Sequence, residues 1–440
     1  MNAFHIRSSW LPGALSVTLL AFPSLGQAPD SSAARIISRP ILNVDSVISM
    51  VSRSHPRIGA AFESFQAAKG ARRTAGSWTN PMVTYQVENA GFPGQTSPIG
   101  LDKETSAFAM VPLEPAYQLR PRVARASADV RAADADLRTA RRDMTLQAVA
   151  AFYSTATAQA EVATSDDNRA WLDSLIRYTG TRVKEGAAAE VDLIRLEVER
   201  DRAETDLALA QVGLAKSRSI LAALIGSNNF EIDITTAASQ PSVRSIPDLQ
   251  LALTSARRLR PELAAAQARL DAASSGVSVE HSSIVRQLGL MTGMKSTAGV
   301  KSMMTGVTFS FPLFDQNRGE IQRAESERRV AAFDRESIER IITADVTANF
   351  AAVETLSAQL ARMQDGLIRR AEEARRVAEG AYREGATPLT QVIEAARALA
   401  EARQLYYRVM FARAQALIEL NASFSAFDKD SSPLSDRSVR

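Results

Sequence analysis

Apolar residues recur along this chain at two spacings, and the change from one to the other marks out its elements. Val123, Ala126, Val130, Ala133, Leu137, Ala140 and Met144 follow a three-four rhythm, the heptad pattern of a supercoiled helical seam. No glycine or proline interrupts residues 122–179, which allows about 87 Å of continuous helix. After Gly186 the rhythm resumes at Leu193, Leu196, Ala203, Leu207, Ala210, Leu214, Leu221 and Leu224, with Arg200 breaking it once. In the second half, residues 319–382 form the long helix, punctuated by Gly366 and Gly380. Val392, Ala395, Leu399, Ala402, Tyr406, Val409, Ala416 and Leu420 make its return partner. Many seam positions are alanine, which lets helices approach closely.

Shorter segments carry the other spacing. Val83, Tyr85 and Val87 alternate with Thr84, Gln86 and Glu88, which predicts a strand with one apolar and one polar face. Ala107, Ala109 and Val111 form a second strand. Val307, Phe309 and Phe311 alternate with Thr308 and Ser310 in the second half, and residues 286–293 supply a weaker partner. Gly91, Pro93, Gly94, Pro98 and Gly100 separate the first pair; Gly293 and Gly299 are expected to separate the second. Pro112 or Pro115, and later Pro312, end the sheet. Ahead of each strand pair lies an amphipathic helix, residues 43–69 and 249–271, interrupted at His55-Pro56 and at Arg260-Pro261.

The same order of elements therefore occurs twice. The clearest marks are the hairpin tips, Arg182-Val183-Lys184-Glu185-Gly186-Ala187 and Ala381-Tyr382-Arg383-Glu384-Gly385-Ala386. Gly186 and Gly385 lie 199 positions apart, and the same offset brings Ile194 onto Ile393 and Leu221 onto Leu420. So long an interval signals duplication of a whole module, not a solenoid of short units.

Composition narrows the class. Aromatics make up 6% of the 440 residues, and the net charge is only +3, with both signs interleaved along helices. That describes a solvated helical surface and argues against a nucleic-acid footprint. There is no cysteine, hence no disulfide and no thiolate metal site. His5 and Arg7, the apolar stretch 11–22 and Gly26-Gln27-Ala28 have the layout of a secretory signal peptide over residues 1–28. Its apolar run is too short to span a bilayer, and no later stretch reaches 18 uncharged apolar residues. The expected organisation is then a tether at 29–42, a first repeat at 43–240, a second repeat at 241–426 and a disordered tail at 427–440. Four two-faced strands cannot close a sheet by themselves, so the economical solution for an exported chain is a barrel shared among subunits.

Taken together, the pattern resembles the TolC family of bacterial outer-membrane efflux proteins over essentially the whole mature chain. Phe311-Pro312-Leu313-Phe314-Asp315-Gln316-Asn317-Arg318-Gly319-Glu320 is similar to the segment P-L-F-D-x-N-x-G of its heavy-metal branch, the partners of cobalt–zinc–cadmium and copper–silver pumps. Asn80-Pro81 resembles the pair that opens the family's first strand. Leu119-Arg120-Pro121-Arg122 departs from that branch, which often has Gly-Gly-Lys there, and the absent N-terminal cysteine departs from its lipid-anchored members.

The resemblance implies a mainly α fold with a small β part. Duplicated long helical hairpins would form a trimeric periplasmic α-barrel, and four strands per chain would contribute to a shared transmembrane β-barrel. Implied partners are a periplasmic adaptor, an inner-membrane proton-driven pump of the RND type, outer-membrane lipid and two further copies of the chain. No nucleic acid, cofactor, catalysis or resident metal is implied.

Each candidate site also has a plain structural explanation. The resemblance makes Glu185, Gly186, Ala187, Glu384, Gly385, Ala386 and Thr387 the adaptor-docking tips, although both glutamates stand where the family has valine. A glycine between two helices is equally a C-cap, needed for positive φ. Gln391 and Glu394 fall where the family's acidic aperture residues lie, while Arg195 holds the position of Glu394 in the first repeat. Copies of Glu394 around a threefold axis would repel one another and attract cations, yet Glu394 is also one of many solvated helix acids. Met291, Met294, Met303 and Met304 gather between the third and fourth strands and carry soft thioether sulfurs. With neither His nor Cys beside them they read better as ordinary apolar residues, and His55 and His281 belong to separate elements. Trp78 suits an interfacial position, and Trp171 a packed seam near a tip.

Two other classes fit the chain less well. A periplasmic adaptor would need one hairpin flanked by β domains. An exported enzyme would need a nucleophile elbow, a zinc-type His pair or a cofactor motif, and none is present.

Overall fold

The structure is a computed structural model that describes residues 41–90, 102–114, 116–227, 233–234, 248–284 and 288–424. The expected leader, most of the tether, the first inter-strand loop and the C-terminal tail lie outside the described residues.

The duplication is visible element by element. Strand β1 (Ile41–Leu42), helices α1 (Val44–Ser54) and α2 (Pro56–Ala75), strands β2 (Met82–Glu88) and β3 (Glu104–Pro112), and helices α3 (Ala116–Lys184) and α4 (Glu190–Ile225) make the first half. Strand β4 (Asp233–Ile234), helices α5 (Leu249–Leu259) and α6 (Pro261–Ser282), strands β5 (Leu288–Thr297) and β6 (Val300–Phe309), and helices α7 (Arg318–Arg362), α8 (Arg369–Arg383) and α9 (Leu389–Phe424) make the second. A single π-helical turn, Met363–Ile368, joins α7 to α8. β1 pairs in parallel with β4, so the last two residues of the expected tether pair with residues 233–234, which the expected boundary at 240 assigns to the first repeat and which here precede the helix pair of the second.

The two Pro-marked breaks have one cause. His55 and Arg260 precede proline, and that position is pushed out of the helical region. They adopt φ −70°, ψ 127° and φ −66°, ψ 120°, and each proline then opens the next helix at a position where no N–H is needed. α3 differs from expectation at its start. It begins at Ala116, six residues ahead of the proline-free run, and carries Pro121 in its interior. Around that point Arg122 ties the chain together, pairing with Glu114 and donating to the carbonyls of Ala75 and Ser77.

The strands form one antiparallel sheet in the order β2-β3-β5-β6. Register sorts the side chains into two faces. Val83, Tyr85, Val87, Ala107, Ala109, Val111, Leu288, Leu290, Met294, Met303, Val307 and Phe309 share one face with Thr105, Thr292, Ser296, Lys301 and Thr305, while Gln86, Glu88, Glu104, Ser106, Lys295, Thr297, Ser302 and Thr308 share the other with Met82, Phe108, Met110, Met291, Val300 and Met304.

Two expectations need correction here. Gly293 does not separate the third and fourth strands but sits inside β5 opposite Phe108. A Cβ at Gly293 would lie 2.4 Å from the Ala107 carbonyl oxygen and 2.5 Å from Phe108 Cβ, so the glycine permits close strand approach. The turn lies at the other expected glycine, Gly299, with Ala298 before it and both with positive φ, and β6 ends at Phe309 so that Phe311 lies beyond it. The four methionines consequently lie within the strands. Met294 and Met303 pair directly on the apolar face, while Met291 and Met304 lie on the other face.

The helices pack in the lateral order α4, α3, α9, α8, with α6 between α3 and α7 nearer the sheet. The largest core surrounds Phe152, Tyr153 and Phe411 and collects Val47, Val51, Ile58, Leu221 and Ile234. Buried Arg260 joins several elements at this level. It shares Glu262 with Arg142 of α3 and reaches Asp345 of α7 and Ser423 of α9. α4 contains an 18-residue window with mean hydropathy 1.3, long and apolar enough to cross a membrane by composition alone. Its Leu196, Ala203, Leu207, Leu214 and Leu221 are buried, and its packing partner is α3.

Candidate functional site: the paired hairpin tips

Both tips are built by one backbone motif. Ala187 N–H donates to the Arg182 carbonyl (2.7 Å) and Gly186 N–H to Val183 (3.0 Å). In the second tip Ala386 donates to Ala381 (2.8 Å) and Gly385 to Tyr382 (3.0 Å). These are the crossed bonds of a helix C-terminus whose next residue is left-handed, and φ is +71° at Gly186 and +77° at Gly385. An added Cβ would meet nothing within 4 Å at either glycine, so backbone conformation and not space demands the residue type. Glu185, Ala187, Glu384 and Ala386 are exposed around them. Thr387 is partly covered, and its hydroxyl is buried without a hydrogen-bond partner.

The structure brings the two tips side by side. Thr179 and Tyr382 hydroxyls meet at 3.3 Å, both on buried residues. Arg182 donates to the Arg383 carbonyl (3.4 Å) across the gap and to the Ala187 carbonyl (3.2 Å) within its own tip. Tyr178 lies between two guanidiniums, Arg182 and Arg383, at 5.8 and 5.6 Å from the ring centre. Trp171 donates to Glu379 (3.3 Å) and carries Arg375 on its ring. Beneath this polar layer Leu172, Leu175, Leu196, Tyr382, Leu389 and Val392 form a shared core. The expectation of a packed seam at Trp171 holds. The Tyr178–Arg182–Arg383 stack and the Thr179–Tyr382 contact had no sequence signal, since each joins residues about two hundred positions apart.

Gln391 and Glu394 sit on the first turns of α9, next to Val392 of this core, and both are exposed. The carboxylate that binds across the hairpins is a different one. Glu199 of α4 takes both Nε (2.6 Å) and a terminal nitrogen of Arg397 on α9. Glu199 is 14% exposed, and its hydrogen bond is the main reason the Arg397 guanidinium is held above its ordinary pKa, with Glu394 a lesser contributor. Arg408 bonds Glu161 of α3 (2.9 Å), and Arg403 bonds Glu372 of α8 (2.9 Å). Arg397, Arg408, Glu161, Glu199, Arg202 and Asp206 line a groove of about 570 Å³ among α3, α4 and α9. Among the described residues Arg195 pairs only with Asp192 on its own helix, at 4.0 Å. Among the described residues there is no cluster of three or more His, Cys, Asp or Glu side chains that could hold a metal ion.

Comparison with known proteins agrees with this architecture. A family model described as outer membrane efflux protein matches residues 252–424, from α5 to the end of α9. The pyoverdine export outer membrane protein OpmQ of Pseudomonas putida is 25% identical over 265 residues, 56% of this chain and 54% of OpmQ. The match therefore spans about half the length of that relative. The outer-membrane channel OprN superposes with TM-score 0.74 at 18% identity, covering 87% of this chain and 89% of OprN. CusC, studied for transmembrane channel formation, gives 0.75 at 16% identity over 88% and 93%. The CmeC outer membrane channel of Campylobacter jejuni gives 0.73 at 13% over 93% and 94%. At these identities the likeness to solved structures is one of fold. The chain is thus similar to outer membrane efflux proteins, in sequence over residues 252–424 and in fold over most of its length.

Proposed function

We propose that the chain is the outer-membrane channel of a tripartite efflux system, a non-catalytic conduit fed by a periplasmic adaptor and a proton-driven RND pump of the inner membrane. The observation that carries this reading is the four-stranded sheet with one mainly apolar face, one face that carries most of its charged and hydroxyl side chains, and two free edges, β2 and β6. An apolar face suits lipid, a polar face suits a water-filled lumen, and free edges ask for further strands. Three copies would supply twelve strands, enough for a barrel that no single copy can close.

The helices support the same closure. α4 and α8 are the outer members of the lateral order, and each keeps apolar residues in solvent. On α4 these are Val191, Ile194, Val198, Leu209 and Val212; on α7 and α8 they are Val330, Phe333, Ile341 and Val377. Residues 190–206 hold seven carboxylates against three arginines, and α8 holds five arginines against three glutamates. Head-to-tail contact of α4 with α7–α8 of the next copy buries both stripes and joins opposite charges.

Gated passage follows from the tips. The adaptor engages Glu185-Gly186-Ala187 and Glu384-Gly385-Ala386-Thr387, the second hairpin moves outward, and the Arg397–Glu199 and Arg182–Arg383 links between hairpins part. Gln391 and Glu394 then leave the axis and cargo diffuses through.

Heavy-metal cations are the proposed cargo, on the strength of residues 311–320. The half-length likeness to a pyoverdine exporter favours a second reading, in which the cargo is an organic molecule. Deleting the gene and testing growth on zinc, cobalt, cadmium, copper and a dye panel decides between them. Sensitivity to metals is expected, and sensitivity to dyes alone would overturn the metal assignment.

A further inference from the structure

The two halves are copies, but the copying slips by one residue. In the sheet-proximal part of the long helices, buried positions coincide at an offset of 198: Ile342 with Met144, Val346 with Ala148, and Val353 with Thr155, every one no more than 3% exposed. Near the tips the offset is 199. There Gly385 matches Gly186, and partly buried Ala371 and Ala378 match buried Leu172 and Thr179. Keeping 198 would instead set Gly385 against Ala187 and half-buried Arg375 against exposed Arg177. The second hairpin thus carries one residue more than the first, gained between Val353 and Ala371. The π turn Met363–Ile368 lies inside that interval, and a π turn is how a helix absorbs one extra residue while both flanks stay α-helical. α3 runs through the corresponding level without a break.

Gly366 sits within this turn, and geometry does not require it. Its φ is not positive, and a Cβ there would meet only the Arg370 guanidinium, at an ordinary 3.7 Å. A helical glycine with no steric duty leaves the backbone soft. Beyond the turn the helix is lightly held within its own chain: Tyr382 is the one buried residue of α8, whereas Leu172, Leu175 and Thr179 are buried on the corresponding part of α3. Met363, buried at 1% exposure, fixes the other end of the turn.

We infer that the π turn Met363–Ile368 is the pivot on which α8 and the start of α9 swing to open the aperture. The inference rests on the channel reading above and supplies its moving part. From Ile368 to Gly385 the arm is about 25 Å, so a bend of about 10° carries the tip about 4 Å. The extra residue also lets the tip keep its own register against α9 while the upper helix keeps another.

Hydrogen exchange on the full chain in detergent tests the softness directly. Backbone amides at 364–370 should exchange at least tenfold faster than those at 164–170 of α3, and equal protection would overturn the pivot. Planar-bilayer recording tests its role. Gly366→Ala, which fits without a clash, should lower the open probability at least threefold. If the wild-type chain conducts and Gly366→Ala gates identically, the pivot falls and the channel reading stands. If the wild-type chain does not conduct, the channel reading fails and the pivot's role fails with it.

Discussion

The first and second hairpins share a tip motif, a seam and a return limb, yet they differ in continuity. α3 is one helix of 69 residues, whereas its counterpart is assembled from α7, a π turn and α8. α3 contacts α2, α4, α6 and α9 along its length; α8 packs chiefly on α9. A duplicated module that keeps the same ends but changes how firmly one arm is held can divide labour: one hairpin as wall, one as moving element. The side-by-side tips make such a division workable, because the bonds joining them are few, polar and partly solvated.

Four substitutions break or sharpen that contrast. The largest effect is expected from Tyr382→Ala, which empties the core shared by the tips and orphans the buried Thr179 hydroxyl. A loss of about 3 kcal/mol is expected, read as protease sensitivity confined to the tips. Sensitivity spread over the whole chain would mean the tip core is not a local unit. Gly385→Val comes next, because a β-branched residue at φ +77° is strained by about 2 kcal/mol. Adaptor capture should weaken while the trimer survives, and unchanged cross-linking to the adaptor would count against docking at that tip. Arg397→Gln leaves Glu199 with only the looser Arg202 contact on its own helix, 3.8 Å, and should loosen the hairpins by about 1 kcal/mol. The readout is a rise in open probability, together with a loss of the salt dependence of opening; a variant that gates like wild type would remove this pair from the latch. Glu394→Ala should leave stability unchanged and reduce cation selectivity several-fold. Unaltered current and selectivity would show that Glu394 is a solvated surface acid.

Much of this arrangement could be read from the sequence because its causes are local. Heptad spacing at Val123 and Leu196, the glycine at each helix end and proline after His55 and Arg260 act on neighbouring residues, and the structure places helices and turns accordingly. Gly293 misled because its role is set across strands by Phe108, not along the chain. The methionines were displaced by the same error, since moving the turn to Ala298-Gly299 drew all four into β5 and β6. The π turn was half visible: Gly366 marked an interruption, but the change of offset emerges only when burial on α3 and α7 is compared. The Arg182–Tyr178–Arg383 stack and the Arg397–Glu199 pair depend on two hairpins meeting, which no spacing within either one encodes.

On the proposed function, copies of this chain together close a membrane channel that no single copy can form. Recording purified, detergent-extracted chain in planar bilayers, with the same sample run heated and unheated on a denaturing gel, tests it most directly. Stepwise ionic current is expected from material that migrates as a trimer unheated and as a monomer after heating. A monomer that needs no detergent and passes no current would contradict it.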